Sequence, residues 1–277
     1  MRVGSIELDP VVDAWGGLGE LAELYPETPV EAWEPYRELY AELFAGTSWR
    51  LPCTCYLVRS AGRVVLVDTA VGPPGSWGWA AEREGGLLPG LAALGVGPED
   101  VDVVFLTHIH IDHVGWNADA DGTPVFENAR YLLHPDGLEL ASARADVPHI
   151  RRCLRSILDA GLVDEVEAGA EIAPGVTTID LPGHLPGHLG LRVGRDAVLI
   201  ADAAVHPALL DQPEWRYVAD AEPGRSSETR RAILPELERP DLLVVCGHYP
   251  DGGIGRLMRR DGRVVWQALQ GPWELRS

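Results

Sequence analysis

Thr107-His108-Ile109-His110-Ile111-Asp112-His113-Val114-Gly115 follows directly on the apolar run Val103-Val104-Phe105-Leu106. Three imidazoles and a carboxylate thus stand within six residues, at the end of a strand-sized hydrophobic run. Extended backbone sends residues two apart to the same side, so His108 and His110 can chelate one ion together. Asp112 and His113 are adjacent, diverge in a turn, and can address a second ion beside the first. A surface histidine cluster or a set of core histidines is the bland alternative. It explains one lone histidine well and this spacing poorly.

Three other apolar runs end in the same way. Leu181-Pro182-Gly183-His184-Leu185-Pro186-Gly187-His188 places a histidine in a Gly/Pro turn, Leu199-Ile200-Ala201-Asp202 ends on a carboxylate, and Val244-Val245-Cys246-Gly247-His248 ends on a histidine. Ligands at strand ends can converge on one edge of a rigid scaffold. Strands are expected at 53–58, 63–68, 102–107, 130–134, 177–181, 190–193, 197–201, 242–246 and 264–269. Helical spacing falls between them at 137–145, 148–161 and 227–234. The order predicts an α/β chain with two sheets packed face to face and helices outside. In the first fifty residues, Thr28-Pro29-Val30-Glu31 reads as a helix start, Pro35 as its end or kink, and Tyr36, Tyr40, Leu43 and Phe44 as a further helical face. Residues 1–50 are therefore expected to be a helical, lid-like extension of one domain spanning 1–277.

Composition narrows the partners. The 277 residues hold 42 Asp+Glu against 23 Lys+Arg, a formal charge of −19, and every basic side chain except histidine is arginine. Such a field repels polyanions, and no basic run offsets it locally, so no nucleic acid is expected as partner. The apolar runs are strand-sized, far short of the roughly 20 residues of a membrane span. No apolar leader stands at the N-terminus, so the expected location is cytoplasmic. Cys53, Cys55, Cys153 and Cys246 show no C-x-x-C spacing and read as reduced, buried thiols.

The motifs together resemble the metallo-β-lactamase-fold hydrolase superfamily over about residues 50–250. The strand-end Val67-Asp68-Thr69-Ala70 matches with Ala70 where that family usually has Gly, and H-x-H-x-D-H, P-G-H, the lone Asp and G-H follow in order. The resemblance implies a four-layer αββα sandwich of two mixed sheets. It implies that His108, His110 and His184 hold a first ion, that Asp112, His113 and His248 hold a second, and that Asp202 bridges them. Two divalent ions, Zn²⁺ before Fe or Mn, would then be the cofactors, with a hydroxide between them as nucleophile. Asp112 would be both ligand and proton acceptor.

Other residues carry weaker expectations. Asp68 either orients a ligand or closes a strand-end turn, and His188 forms a structural hydrogen bond. His206, where acyl-homoserine lactonases of this superfamily tend to place a tyrosine nearby, is a candidate catalytic residue that either faces substrate or sits in a loop. Tyr249, next to His248, either supplies a phenol donor or packs in the core, and His134 and His149 read as structural or solvent-facing. Trp116 stands next to the metal motif, and Trp15, Trp33, Trp49, Trp77 and Trp79 either form an apolar lid or fill the core. The expected activity is hydrolysis of a small, largely neutral, ester-like substrate, a lactone first. Thioester, phosphotriester and β-lactam cleavage use the same site. A mononuclear iron dioxygenase of the persulfide type, held by His108, His184 and Asp202, is the redox alternative. The partner is a small molecule, no membrane is involved, and a homodimer is compatible with the sequence.

Overall fold

The computed structural model describes residues 1–75 and 81–269. Two mixed sheets face each other. The first runs Arg2–Val3, Ile6–Glu20, Ser48–Ser60, Arg63–Val67, Val103–Phe105, Arg130–Leu133, Val163–Glu165 in spatial order, with Phe44–Ala45 and Ala81–Arg83 as side branches. The second runs Glu171–Ala173, Val176–Asp180, Leu189–Val193, Ala197–Leu199, Leu243–Val245, Ile254–Arg260, Arg263–Ala268. Parallel pairing is confined to the strands from Arg63–Val67 to Val163–Glu165 and to the pair Ala197–Leu199 with Leu243–Val245.

The central strands are continuous apolar runs because both faces are buried. Val65, Val67, Val103 and Phe105 meet Leu189, Leu191, Leu199, Leu243 and Val245 between the sheets. Their alternating neighbours Leu66, Val104, Val198 and Val244 point outward into a second core with helix residues Leu87, Leu91, Ile157, Leu209 and Leu237. A period of two therefore fills four layers, and the αββα sandwich is the fold of this chain. Each buried Val, Leu or Phe contributes about 1.5–3 kcal/mol relative to exposure, so the layers rest on these runs.

The N-terminal fifty residues depart from the helical expectation. Ile6–Glu20 is a 15-residue strand paired along the Ser48–Ser60 strand, with shifts of register after Val12 and Gly17. Asp9-Pro10 and Gly16-Gly17 disguise it in the sequence. Pro10 is tolerated because the short Arg2–Val3 partner covers only residues 6 and 7, which leaves Pro10 on an open edge. Short helical turns occupy Leu21–Leu24 and Val30–Trp33, and Pro35 lies in the first turn of the helix Glu34–Leu39 instead of closing one. Trp33 and Trp49 are fully buried in the core, not laid over the surface as a lid. Trp77 and Trp79 lie outside the described residues. Among the described residues no helix is long and apolar enough to cross a membrane.

Both sheets send strand ends to one place. The residues after Val103–Phe105 carry His108 to His113, those after Ala197–Leu199 carry Asp202, and those after Leu243–Val245 carry His248. Leu189 N–H donates to Thr107 O and ties the two sheets together at that edge.

Candidate metal centre

After Phe105 the chain leaves the sheet and enters a single α-turn, Ile111–Val114, so Asp112 and His113 diverge as their adjacency implied. The following segment is clasped to the end of the Arg63–Val67 strand. Thr69 N–H donates to His113 O, Gly115 N–H to Ala70 O and Trp116 N–H to Thr69 O. A Cβ on Gly115 would stand 2.0 Å from the Val71 carbonyl, so only glycine permits this approach.

All seven expected ligands converge. His110 Nδ1 lies 3.0 Å from His108 Nε2 and 2.9 Å from His184 Nε2, and Asp202 Oδ2 lies 3.2 Å from His184 Nε2. These four donors form one compact set. On the other side, Asp202 Oδ1 lies 3.5 Å from His113 Nε2 and 3.3 Å from His248 Nε2, and Asp112 Oδ2 lies 3.5 Å from His248 Nε2. The two oxygens of Asp202 thus face different donor sets, the arrangement a bridging carboxylate needs.

Four of the five imidazoles are turned by an acceptor at the other nitrogen. Nδ1 of His113 lies 2.8 Å from Asp68 Oδ2, Nδ1 of His184 lies 2.9 Å from Asp220 Oδ1, and Nδ1 of His248 lies 2.8 Å from Pro52 O. His108 Nδ1 lies 3.1 Å from the Thr107 hydroxyl, which in turn donates to Asp68. With the proton held at Nδ1, the Nε2 lone pairs of these four histidines face inward. Asp68 therefore orients His113, a candidate ligand, in line with the first of its two expected roles, and adopts φ +59°.

Electrostatics fit the same reading. Burial, reinforced by the neighbouring histidines, pushes His108 well below the usual imidazole range and His110 down to about 3. His113 and His248 are also buried, yet Asp202 with Asp68 or Asp112 beside them holds both well above it. Burial alone would raise Asp202, but His248 and His113 hold its carboxyl well below its ordinary value. His113 Nε2 and Asp202 Oδ1 are buried without any hydrogen-bond partner. Polar atoms left so cost about 1–3 kcal/mol each, which a bound cation between them removes. Imidazole and carboxylate donors in two sets sharing one carboxylate fit two divalent ions.

The remaining candidates separate from this cluster. His188 donates from Nδ1 to Leu181 O and accepts the Asp202 N–H at Nε2, a structural role that steadies Asp202. His206 is not at the centre: its ring packs against Trp33, Tyr40, Phe44 and Trp49, and Nδ1 accepts the Ala208 N–H. The ring lies in the core, just before the helical turn Ala208–Asp211. Trp116 donates to the buried Asp13, which also receives Val71 N–H and Leu87 N–H, so it braces the motif from behind. Tyr249 packs edge-on to Trp266 in the core, and His134 Nδ1 accepts the Asp136 N–H at a helix start.

Three contributors carry no motif. Asp220 holds His184 and is itself held by the fully buried Arg230. Tyr217 lies parallel to the His184 ring, with centroids 6.3 Å apart. Cys53 stands beside Asp112 and His248, and burial pushes its thiol up to about 12. A cavity of about 870 Å³ lined by Val12, Trp15, Arg83 and Pro89 contains none of the seven candidate ligands, and its lining includes Pro52, whose carbonyl accepts from His248.

Comparison with known proteins gives the family and the fold. Residues 48–248 match the family profile described as the metallo-beta-lactamase superfamily. An N-acyl homoserine lactonase of Bacillus cereus is 31% identical over 230 residues, spanning 74% of this chain and 84% of the relative. The N-acyl homoserine lactonase AiiB of Agrobacterium fabrum is 28% identical over 239 residues, spanning 76% and 84%. AidC, a dizinc quorum-quenching lactonase solved with a product, superposes with a TM-score of 0.82 at 20% identity, covering 98% of this chain and 97% of its own. At that identity the superposition establishes the fold.

Proposed function

This chain belongs to the metallo-beta-lactamase superfamily and is a metal-dependent hydrolase, and from that premise we propose that it opens lactones with a dinuclear centre, zinc being the expected metal. The observation that carries the reading is the division of Asp202 between two donor sets, Oδ2 toward His184 and Oδ1 toward His113 and His248. The lactonase relatives support the choice of a cyclic ester. The dioxygenase alternative needs only one facial triad, and it leaves the paired donors His113, His248 and Asp112 without a task.

His108, His110, His184 and Asp202 would hold the first ion, and Asp112, His113, His248 and Asp202 the second. Bound there, the pair supplies a water ionised near neutral pH and a Lewis acid for the substrate carbonyl. The chain's own residues do the rest. Asp112 is the most open residue of the second set, its side chain 20% exposed where its partners there are under 10%. Its carboxylate is placed to take the nucleophile's proton and return it to the alkoxide leaving group as the ring opens. Asp68, Asp220 and Pro52 fix the imidazoles beforehand, so little reorganisation remains at the moment of reaction.

Asp202→Asn keeps the shape and removes the bridging charge. It is expected to lower bound metal below two ions per chain and to reduce kcat/KM by more than about a hundred-fold. Two ions retained with unimpaired turnover would refute the bridging role.

A further inference from the structure

Cys53 lies on the Ser48–Ser60 strand, and its two chain neighbours are tied to the turn that carries His248. Thr54 N–H donates to Gly247 O at 3.1 Å, and Pro52 O accepts from His248 Nδ1 at 2.8 Å. Gly247 allows the approach, since a Cβ there would stand 2.7 Å from Thr54 O. The strand and the turn are thus clasped on both sides of Cys53. The result is that its sulfur, the Asp112 carboxylate and a His248 ring nitrogen all lie within 4.8 Å of one another. That is close to the span of one coordination sphere, whose bonds are about 2.0–2.3 Å.

The other cysteines do not share this position. The Cys246 thiol donates to Ala201 O, and that of Cys153 to Gly115 O. In the second donor set two buried atoms have no hydrogen-bond partner, His113 Nε2 and Asp202 Oδ1, and that set meets the Cys53 group at His248, which both share.

We infer that Cys53 is a further ligand of the second ion, a sulfur donor that makes this half of the centre a site for soft divalent metals. The inference rests on the dinuclear reading. On binding, the sulfur lone pair forms the metal–sulfur bond while the S–H proton passes to solvent, with no change of oxidation state. Thiolate favours zinc, cobalt and cadmium over magnesium or manganese, which carboxylate and water suit better. Cys53 thereby distinguishes the two halves of the centre, because the first donor set contains nitrogen and oxygen only.

Cobalt tests this directly. The metal-free full chain is titrated with Co²⁺, and ions per chain are counted while the near-ultraviolet thiolate-to-cobalt charge-transfer band is followed. We expect two Co²⁺ per chain with the band present, and the band lost in both Cys53→Ser and Cys53→Ala, the serine variant retaining the fold by circular dichroism. Retention of the second ion against a chelator should fall at least about ten-fold in either variant. Two Co²⁺ with no band, or a band that survives in Cys53→Ala, overturns the inference and leaves the dinuclear reading standing. One Co²⁺ per chain with a band abolished in Cys53→Ser overturns the dinuclear reading and keeps Cys53 as a ligand. One Co²⁺ without a band refutes both.

Discussion

At the residue scale the centre is a set of imidazoles whose direction is decided elsewhere. Asp220 is the sharpest case, a buried carboxylate 2.9 Å from His184 Nδ1 and backed by the buried Arg230. Asp220→Asn should leave the fold intact, loosen the orientation of His184 and cost about 10–100-fold in affinity for the first ion. A chelator competition measured on both proteins checks this, and unchanged affinity would show that Asp220 serves the core alone. The convergence of the seven candidate ligands was legible in the sequence because each sits in a compact strand-end motif. Asp220 and Cys53 were not, since nothing in their local sequence marks them. They become partners only when the 217–220 loop and the Ser48–Ser60 strand are brought to the site by tertiary packing. His206 misled for the opposite reason. Proximity to Asp202 in sequence suggested the pocket, but the ring lies among core aromatics just before the helical turn Ala208–Asp211.

At the scale of elements, the site exists because loops from two sheets meet at one edge. One such contact joins the Ser48–Ser60 strand to the Gly247-His248 turn. Gly247→Ala would drive a methyl against Thr54 O, 2.7 Å away in the present backbone. We expect a loss of about 1–3 kcal/mol in denaturant unfolding together with loss of the second ion before the first. If both ions were lost in parallel, the turn would not be specific to the second set. Element reading from sequence worked where both faces of a strand are buried, because runs such as Val64 to Val67 and Val103 to Phe105 leave no other assignment. It failed at Ile6–Glu20, where Pro10 and the paired glycines break the apolar pattern and the long partner strand decides the conformation.

At the scale of the molecule, pH couples the core to stability. Burial lowers His206 to about 3, against 6.5 for the unfolded chain. Between those values the unfolded chain binds a proton that the folded chain refuses. The stability owed to neutral His206 is therefore complete above about pH 6.5 and drains away as pH falls toward 3. His206→Asn retains an acceptor for the Ala208 N–H and removes the titration. The stability of the parent relative to this variant should decline as pH is lowered from 7 to 4, measured by urea unfolding. A constant difference across that range would mean the ring is hydrated.

The central claim is that two clustered ions, divided by Asp202, open a cyclic ester. The most direct measurement follows acid release from N-hexanoyl homoserine lactone and from γ-butyrolactone, using protein whose metal content is determined on the same sample. The account predicts ring opening at two ions per chain, abolished by chelation and restored by Zn²⁺. A two-ion protein that opens neither lactone yet cleaves a phosphotriester or thioester would contradict it.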